Sequence, residues 1–127
     1  MFSGFEKGIK TSRIVEGCIE KLRHFNPDIK LAVTNGANGV YAFEDGILDF
    51  LPAYPVSPVN TAGAGDAFLA GLIIGIIKGL SIIGDKKDSG LKYATALSSM
   101  SVTSKDTIHF GITVDTLQEF MSNYAVR

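Results

Sequence analysis

The sequence predicts an α/β domain in which one helix precedes three short strands and three more helices follow. Apolar residues recur at helical spacing near the start of the chain and again in its second half. Between these regions, three short apolar runs are separated by residues that favour turns. Because so few strands cannot close a doubly wound sheet, the pattern predicts part of a larger α/β domain.

The first predicted helix begins at Thr11 or Ser12, either of which can cap it, and runs to about Phe25. The Asn-Pro pair that follows ends it, because proline cannot continue a helix. The helix has one apolar face, on which Cys18 is expected to be a buried small hydrophobic side chain. The residues of this face are Ile14, Val15, Cys18, Ile19, Leu22 and Phe25.

The three predicted strands lie between this helix and a proline-rich segment. Lys30–Thr34 and Val40–Glu44 suit the first two strands, and the letters NGANG form the turn between them. Asp45-Gly46 is a strong hairpin signal, which makes Ile47–Leu51 the returning strand. Three prolines then hold an extended segment.

Three helices are predicted in the second half of the chain. The second helix runs to about Lys78, and its unbroken apolar part, Ala67–Ile77, is too short to span a bilayer. Gly71 and Gly75 have the spacing of residues that let two helices pack closely. The third helix is predicted over Gly90–Ser104. The last helix, which Thr113 can cap, carries the apolar residues Val114, Leu117, Phe120, Met121 and Tyr124.

Charge and cysteine content narrow the classes of function. The chain has 12 Lys and Arg against 13 Asp and Glu, and a net charge of −1 gives no general attraction to nucleic acid or to an anionic membrane. The single cysteine excludes an internal disulfide framework and a Cys-rich metal site. The first ten letters, MFSGFEKGIK, lack the apolar core of a secretory signal. We therefore expect a cytoplasmic protein with neither nucleic acid nor membrane as a partner.

The stretch VNTAGAGDAFLAGL, residues 59–72, places a small-residue turn and a carboxylate at the start of the second helix. Gly63 and Gly65 permit backbone angles closed to other residues and let a ligand approach the main chain. The first N–H groups of a helix lack internal partners and carry partial positive charge, so they bind anions such as phosphate. Asp66 lies at the rim, where it can accept a proton. An anion site beside a base suits phosphoryl transfer, although a plain turn with a capping aspartate uses the same letters.

Two common nucleotide motifs do not match this stretch. A Rossmann fingerprint needs Gly or Ala where Phe68 stands. A P-loop needs Gly-Lys followed by Ser or Thr, where this chain has Gly65-Asp66-Ala67. The phosphate would thus be held without a P-loop lysine.

The letters NTAGAGDAFLAGL resemble the second signature of the ribokinase-like (PfkB) carbohydrate kinases, Asp-Thr-x-Gly-Ala-Gly-Asp. Upstream, LAVTNGANGVYAF is similar to the strand and nucleotide turn of that family, Thr-x-Gly-x-x-Gly. The order and separation of the two motifs also fit, and the resemblance covers about Ile14 to the C-terminus. It implies the C-terminal part of a ribokinase-like three-layer α/β/α sheet domain.

The resemblance implies a role for each matched residue. Asp66 would be the catalytic base that takes the proton of a substrate hydroxyl. The anion hole would consist of the backbone N–H groups of Gly63, Ala64, Gly65 and Asp66. The nucleotide site would be lined by Thr34, Gly36, Gly39 and Thr95. Without the resemblance, the 34–39 stretch is a simple hairpin turn.

The implied cofactors are ATP and Mg2+, with a monovalent cation in addition. The family usually has Asp at the position of Asn60, and that acid helps to hold the cation beside the anion hole. Asn keeps a carbonyl ligand but loses the negative charge, which puts a potassium requirement in doubt. Without the resemblance, Asn60 is a turn former before the helix.

The implied function is ATP-dependent phosphorylation of a sugar or nucleoside hydroxyl. Residues 1–127 would be the nucleotide-binding portion of a single kinase domain whose N-terminal substrate-binding half and lid are absent. We expect the chain to be inactive alone and to self-associate or form a homodimer. Two alternatives are a hydroxymethylpyrimidine-type kinase of the same fold and a non-catalytic nucleotide-binding or assembly module.

Overall fold

A computed structural model describes residues 4–83, 89–106, 109 and 111–123, with side chains from residue 11 onward. Three antiparallel strands form one sheet in the order β1-β2-β3. The strands are β1 (Leu31–Thr34), β2 (Val40–Glu44) and β3 (Ile47–Leu51). The helices are α1 (Gly4–Phe25), α2 (Ala64–Ile77), α3 (Gly90–Ser101) and α4 (Val114–Asn123).

The strand and hairpin predictions are confirmed. Leu31 is paired with Phe43 across the first two strands, and Glu44 is paired with Ile47 across the hairpin. Asp45 and Gly46 both have positive φ, 50° and 81°, as a two-residue hairpin turn of this kind requires. The alternation of side chains along β2 then sends Val40, Ala42 and Glu44 to one face and Tyr41 and Phe43 to the other.

Helices cover both faces of the sheet. Val40 and Ala42 pack with Phe68 of α2 and with Leu91 and Ala94 of α3. On the opposite face, Phe43 forms a separate cluster with two buried residues of α1, Val15 and Ile19. The order of layers is therefore α1, sheet, then the pair α2 and α3, as predicted.

The backbones of α2 and α3 approach closely, which confirms the close helix packing predicted from the spacing of Gly71 and Gly75. A Cβ placed on Gly71 would lie 2.6 Å from the Ala94 nitrogen and nearer still to its Cα. One placed on Gly75 would lie 2.5 Å from the Cα of Gly90. Real Cβ atoms do not approach backbone so closely, so both positions require glycine.

The first helix departs from its prediction in length and in burial. It begins at Gly4 rather than at Thr11 or Ser12. Cys18 is exposed, not buried, and Phe25 is 89% exposed. Val15 and Ile19 lie one turn apart on the stripe of the helix that packs on Phe43, and the sheet does not cover the rest of the apolar face.

The last two helices also differ in detail from their predictions. Helix α3 ends at Ser101 rather than Ser104. The Val102 carbonyl that follows accepts hydrogen bonds from the N–H groups of Val59 and Asn60, which tie the extended segment to the end of α3. Thr113 caps α4 as predicted, since its Oγ1 accepts from the Thr116 N–H at 3.1 Å. Leu117 is buried, whereas Val114 is exposed and Tyr124 lies outside the described residues.

A buried carboxylate joins the sheet to the segment after α2. Glu44 Oε2 accepts hydrogen bonds from the N–H groups of Ile82 at 2.9 Å and Ile83 at 3.4 Å. Its Oε1 lies 3.0 Å from Lys30 Nζ. The hydrogen bond and the charge of Glu44 raise the pKa of Lys30. Within the described residues, no helix combines the length and apolar character needed to cross a bilayer.

Candidate functional site

A cleft of about 400 Å³ opens at the end of the sheet where β1 meets β2. Its walls come from the turn after β1, the extended segment after β3, the start of α2 and one face of α3. Six residues predicted for the site line it together: Thr34, Gly36, Gly39, Ala64, Gly65 and Thr95. Gly63, Asp66 and Asn60 do not line it, although all three are close in sequence to residues that do.

The start of α2 presents free main-chain donors beside this cleft. Gly63 has φ 82° and ψ −1°, a left-handed conformation that favours glycine. The Ala64 N–H donates to the Thr61 carbonyl at 3.3 Å, and the Ala67 N–H donates to the Gly63 carbonyl. Among the described residues, the N–H groups of Gly63, Gly65 and Asp66 have no acceptor. All four N–H groups are expected from the sequence to form the anion hole, and three of them are open.

The expectation that Gly65 supplies backbone angles closed to other residues is wrong. Gly65 lies within α2 and not in the left-handed region, so its backbone angles do not require glycine. A Cβ built there would meet no atom within 4 Å. The absence of a side chain at Gly65 instead leaves room beside the open N–H groups.

Asp66 projects from the first turn of α2 and is exposed. It follows Gly65 directly, so its carboxylate extends from the same helix end as the open donors. The part of the chain that the structure describes holds no group of three or more His, Cys, Asp or Glu side chains placed to bind a metal ion.

The turn between β1 and β2 forms a second wall. The Asn35 N–H donates to the Gly39 carbonyl at 2.8 Å and the Gly39 N–H donates to the Gly36 carbonyl at 3.2 Å, so much of the turn's main chain pairs internally. Gly36 and Gly39 have φ of 55° and 106°. A Cβ on Gly39 would lie 2.5 Å from the Leu51 carbonyl oxygen. This stretch is therefore a hairpin connection that also lines the cleft.

One face of α3 forms the third wall. Thr95 is buried and its Oγ1 donates to the Leu91 carbonyl at 2.8 Å, so its hydroxyl proton is already used within the helix. Ser98, Ser99 and Val102 line the cleft beside it and were not predicted from the sequence. Their positions three, four and seven residues after Thr95 place them on the same helix face, a signal that was available once Thr95 was assigned.

The extended segment after β3 supplies a further wall that was not predicted from the sequence. Tyr54 lines the cleft and packs against Phe120 of α4, with ring centroids 5.1 Å apart at an edge-to-face angle of 69°. The sequence signalled only an extended, proline-rich segment here. The contact between Tyr54 and Phe120 joins residues far apart in the chain, so no local pattern could have indicated it.

Asn60 is hydrogen-bonded at both ends of its amide. Its Oδ1 accepts from the Ala62 N–H and its Nδ2 donates to the Lys105 carbonyl, each at 3.0 Å. The first bond is the turn contact expected of Asn before a helix. The second uses a donor where a cation ligand would have to be an oxygen, so these contacts fit an amide bridge better than a cation. A monovalent-cation role for Asn60 stays a prediction.

The chain is similar to known carbohydrate kinases over most of its length. The model of the pfkB family carbohydrate kinases matches residues 7–113. Fructokinase-2 of Oryza sativa subsp. japonica is 34% identical over 97 residues, which cover 75% of this chain and 29% of that protein. The chain thus spans less than a third of the length of this curated relative.

Two solved structures share the fold. Aminoimidazole riboside kinase from Salmonella enterica, complexed with aminoimidazole riboside and an ATP analog, has a TM-score of 0.59 at 28% identity. The match covers 72% of this chain and 31% of that one. A protein assigned as ribokinase II from E. coli, in complex with ATP and Mg2+, has a TM-score of 0.63 at 23% identity, over 74% of this chain and 29% of that one. The second likeness bears on the fold alone.

The family match covers most of the chain and includes both motifs that carry the resemblance. The layered arrangement of α1, sheet and the α2–α3 pair agrees with the structural neighbours and confirms the predicted partial ribokinase-like α/β fold. The chain therefore belongs to the pfkB family of carbohydrate kinases.

Proposed function

We propose that this chain is the nucleotide-binding portion of an ATP-dependent kinase that phosphorylates a hydroxyl of a sugar or nucleoside. The observation that carries the proposal is the set of open N–H groups at the start of α2, on Gly63, Gly65 and Asp66, beside a cleft of ligand size. Main-chain donors at a helix N-terminus stabilise the negative charge of a phosphoryl group during transfer.

Asp66 is the proposed catalytic base. Its carboxylate is exposed and follows Gly65 directly, so an acceptor hydroxyl can reach it from solvent while a phosphoryl group lies against the open donors. The base takes the hydroxyl proton as the oxygen attacks the phosphorus. The anion hole is the proposed role of Gly63, Ala64, Gly65 and Asp66.

ATP is the proposed phosphoryl donor, bound in the cleft with Thr34, Gly36, Gly39 and Thr95 along its walls. Mg2+ would be bound mainly through the ATP phosphates, whose charge it neutralises. The relatives named fructokinase and aminoimidazole riboside kinase support a sugar or nucleoside as acceptor.

We also propose that the 127-residue chain alone does not transfer phosphate and that it self-associates, as a homodimer or a larger assembly. Positioning of the acceptor supplies much of the rate in phosphoryl transfer, and the chain spans only 29% of the rice fructokinase it matches. Apolar residues of α2 remain exposed, Leu69, Ile73, Ile76 and Ile77 among them. Such a surface favours association. The cytoplasmic location stays a prediction.

The test compares two glycines that both have open surroundings. Gly65→Val should weaken ATP binding to this chain by about tenfold or more, because the side chain fills the space beside the phosphate donors. Gly17→Val is the matched control, since it also adds Val where no atom lies within 4 Å, but in α1. Equal ATP affinity of both variants and the wild type, measured by calorimetry, would contradict the anion-hole assignment.

The base is tested in a full-length kinase that carries this segment. Asp66→Asn should lower kcat by about 10²–10⁴-fold with little change in nucleotide affinity. Retained turnover would leave Asp66 as a helix cap. ATP binding without any transfer in the wild-type enzyme would favour the non-catalytic nucleotide-binding module instead.

A further inference from the structure

We propose that the amide of Asn60 takes the place of a monovalent cation at the anion hole. It ties the segment that enters α2 to the segment that leaves α3, so that phosphate binding does not depend on potassium. The inference rests on the proposed function, since it concerns the same anion hole. It adds Asn60 as a positioning residue and removes the cation from the requirements of the site.

The C-terminal end of α3 lies beside the start of α2, because the two helices are antiparallel. Gly71 of α2 faces Ala94 of α3, and Gly75, one turn later in α2, faces Gly90. The last carbonyl groups of a helix lack partners within it and carry partial negative charge. The arrangement therefore brings main-chain carbonyl oxygens, which are the ligands that potassium takes from a protein backbone, close to the open N–H groups of the anion hole.

These carbonyl oxygens accept N–H donors from the segment before α2. The Val102 carbonyl accepts from the N–H groups of Val59 at 2.7 Å and Asn60 at 3.1 Å. The Lys105 carbonyl accepts from Asn60 Nδ2 at 3.0 Å. A cation placed between Asn60 and either carbonyl oxygen would therefore meet hydrogen atoms of N–H groups rather than lone pairs.

The two partners of the Asn60 amide fix its orientation. Its Oδ1 accepts from the Ala62 N–H at 3.0 Å, on the side opposite the bridge to Lys105. An amide turned the other way would point its NH2 group at the Ala62 N–H and its oxygen at the Lys105 carbonyl. Each contact would then join two donors or two acceptors, which repel each other. The side chain thus offers Lys105 a donor and no oxygen, and these residues do not fit a cation between them.

A run of hydrogen bonds leads from this bridge to the anion hole. Ala62 is held by the Asn60 Oδ1, and the Ala64 N–H donates to the Thr61 carbonyl at 3.3 Å. Gly63, whose N–H is one of the open donors, lies between Ala62 and Ala64. Asn60 thus orders the main chain that presents the donors before phosphate binds, and binding is spared the entropy cost of ordering it.

The charge of the side chain also favours independence from potassium. A carboxylate at position 60 would lie three residues before Gly63 and would repel a bound phosphate unless a cation neutralised it. The amide of Asn60 is neutral, so it holds the same segment without adding negative charge beside the phosphate.

The first experiment measures binding of Mg2+-ATP to the wild-type chain by calorimetry, in potassium chloride and in tetramethylammonium chloride. Mg2+ is in excess and the ionic strength is equal, so that exposed charges are screened alike in both salts. We expect the two dissociation constants to agree within about threefold. Tetramethylammonium is too large to enter a cation site, so a requirement for potassium would appear as weaker binding in that salt.

Asn26 provides a matched control for the positioning role. Its Oδ1 also accepts from the N–H two residues on, at 3.0 Å, but it lies after α1 and is not among the residues that line the cleft. Serine keeps this kind of turn contact, while at position 60 it is too short to reach Lys105. Asn60→Ser should therefore weaken Mg2+-ATP binding by about 3- to 10-fold, the effect of one net hydrogen bond, and Asn26→Ser should leave it unchanged.

Asn60→Asp separates the bridge from a general effect on stability. The carboxylate keeps the acceptor for the Ala62 N–H but turns an oxygen toward the Lys105 carbonyl, and potassium can bridge two such oxygens. The variant should bind Mg2+-ATP about threefold or more tightly in potassium than in tetramethylammonium, the scale of one exposed ion pair. Asn26→Asp, which makes the same change of charge, should show no such difference.

The outcomes separate this inference from the proposed function. If potassium tightens Mg2+-ATP binding of the wild type by more than about threefold, the inference is overturned while the proposed function stands. If Asn60→Ser binds Mg2+-ATP as the wild type does, Asn60 does not position the anion hole, and the inference is likewise overturned. If the wild-type chain does not bind Mg2+-ATP in either salt, the proposed function fails and the inference with it. The comparison of the two salts needs no variant, so it decides the potassium claim even if Asn60→Ser does not fold.

Discussion

Adding one methyl group at Gly71 should destabilise the protein, whereas the same change at Gly17 should stabilise it. Both glycines lie inside helices, Gly71 in α2 and Gly17 in α1. A Cβ on Gly71 would lie 2.6 Å from the Ala94 nitrogen and 2.7 Å from the Tyr93 carbonyl oxygen, while one on Gly17 would meet no atom within 4 Å. The pair thus separates intrinsic helix propensity from the packing of α2 on α3.

The free energies of the two changes follow from these contacts. Alanine in an open helix position is more favourable than glycine by about 0.5–1 kcal/mol, which is the expected gain for Gly17→Ala. At Gly71 the obstructing atoms are backbone, so the helices must separate or bend, and overpacking of a core costs about 1–3 kcal/mol. Ala94 is completely buried at this contact, so a gap of even half an ångström also weakens the dispersion contacts around it. We expect a net loss of about 2 kcal/mol for Gly71→Ala.

The assay is urea denaturation followed by circular dichroism at 222 nm, with protein concentration held constant. For a chain of this size, the midpoint of Gly71→Ala should fall by about 1 M and that of Gly17→Ala should rise by about 0.3–0.5 M, from typical urea slopes. An unchanged or higher midpoint for Gly71→Ala would refute the close approach of α2 and α3. A lower midpoint for Gly17→Ala would show that α1 packs on a surface at that position.

Three further predictions follow from the contacts described above. Asn60→Asp should create a dependence on potassium in a full-length kinase that carries this segment. A carboxylate oxygen would then face the Lys105 carbonyl, and a bridging cation would relieve the repulsion between the two oxygens. Equal activity of wild type and variant in potassium and in a large organic cation would argue against this prediction. Because the pKa of Lys30 is raised in the folded protein, its charged form stabilises the fold at pH values below the ordinary lysine pKa, and this stability is lost as the pH rises past about 10.5. The urea midpoint should therefore fall more in the wild type than in Lys30→Met over that pH range. Parallel pH profiles of the two proteins would show that the ion pair with Glu44 contributes nothing to stability. Light scattering should show that the chain self-associates, and Ile73→Lys on the exposed side of α2 should reduce the association. A monodisperse wild-type monomer that phosphorylates a sugar would refute both the self-association and the proposed inactivity of the chain.

Local sequence signals determined the elements and the two motifs. A short apolar run between two turn signals predicted β2, and the Asp45-Gly46 pair predicted its hairpin, because those residues adopt positive φ at little cost. The spacing of Gly71 and Gly75 predicted a close helix pair, since small residues at that interval clear one helix face. The order of the two glycine motifs also indicated the family, which the match over residues 7–113 confirms.

The boundaries and burial of α1 could not be read from its periodicity. An apolar face predicts that something covers it, but the amount covered depends on the width and length of the surface beneath. That surface is a sheet of three short strands, so Val15 and Ile19 are buried while Cys18 and Phe25 are exposed. Helix propensity does not indicate how much of the apolar face of α1 is buried, because the residues that cover that face lie elsewhere in the chain.

The tertiary structure decided how the motifs meet. The sequence predicted a helix start with free donors and a glycine turn after β1, but only the packed fold brings Ala64 and Gly65 of that helix start and the turn to one cleft. The same is true of Tyr54, whose position depends on Phe120 of α4, and of the Asn60 amide, which bridges to Lys105. These contacts join residues that are distant in sequence and carry no local period. Helical spacing, turn chemistry and capping act over a few residues, whereas the shape of a cleft depends on which surfaces the core brings together.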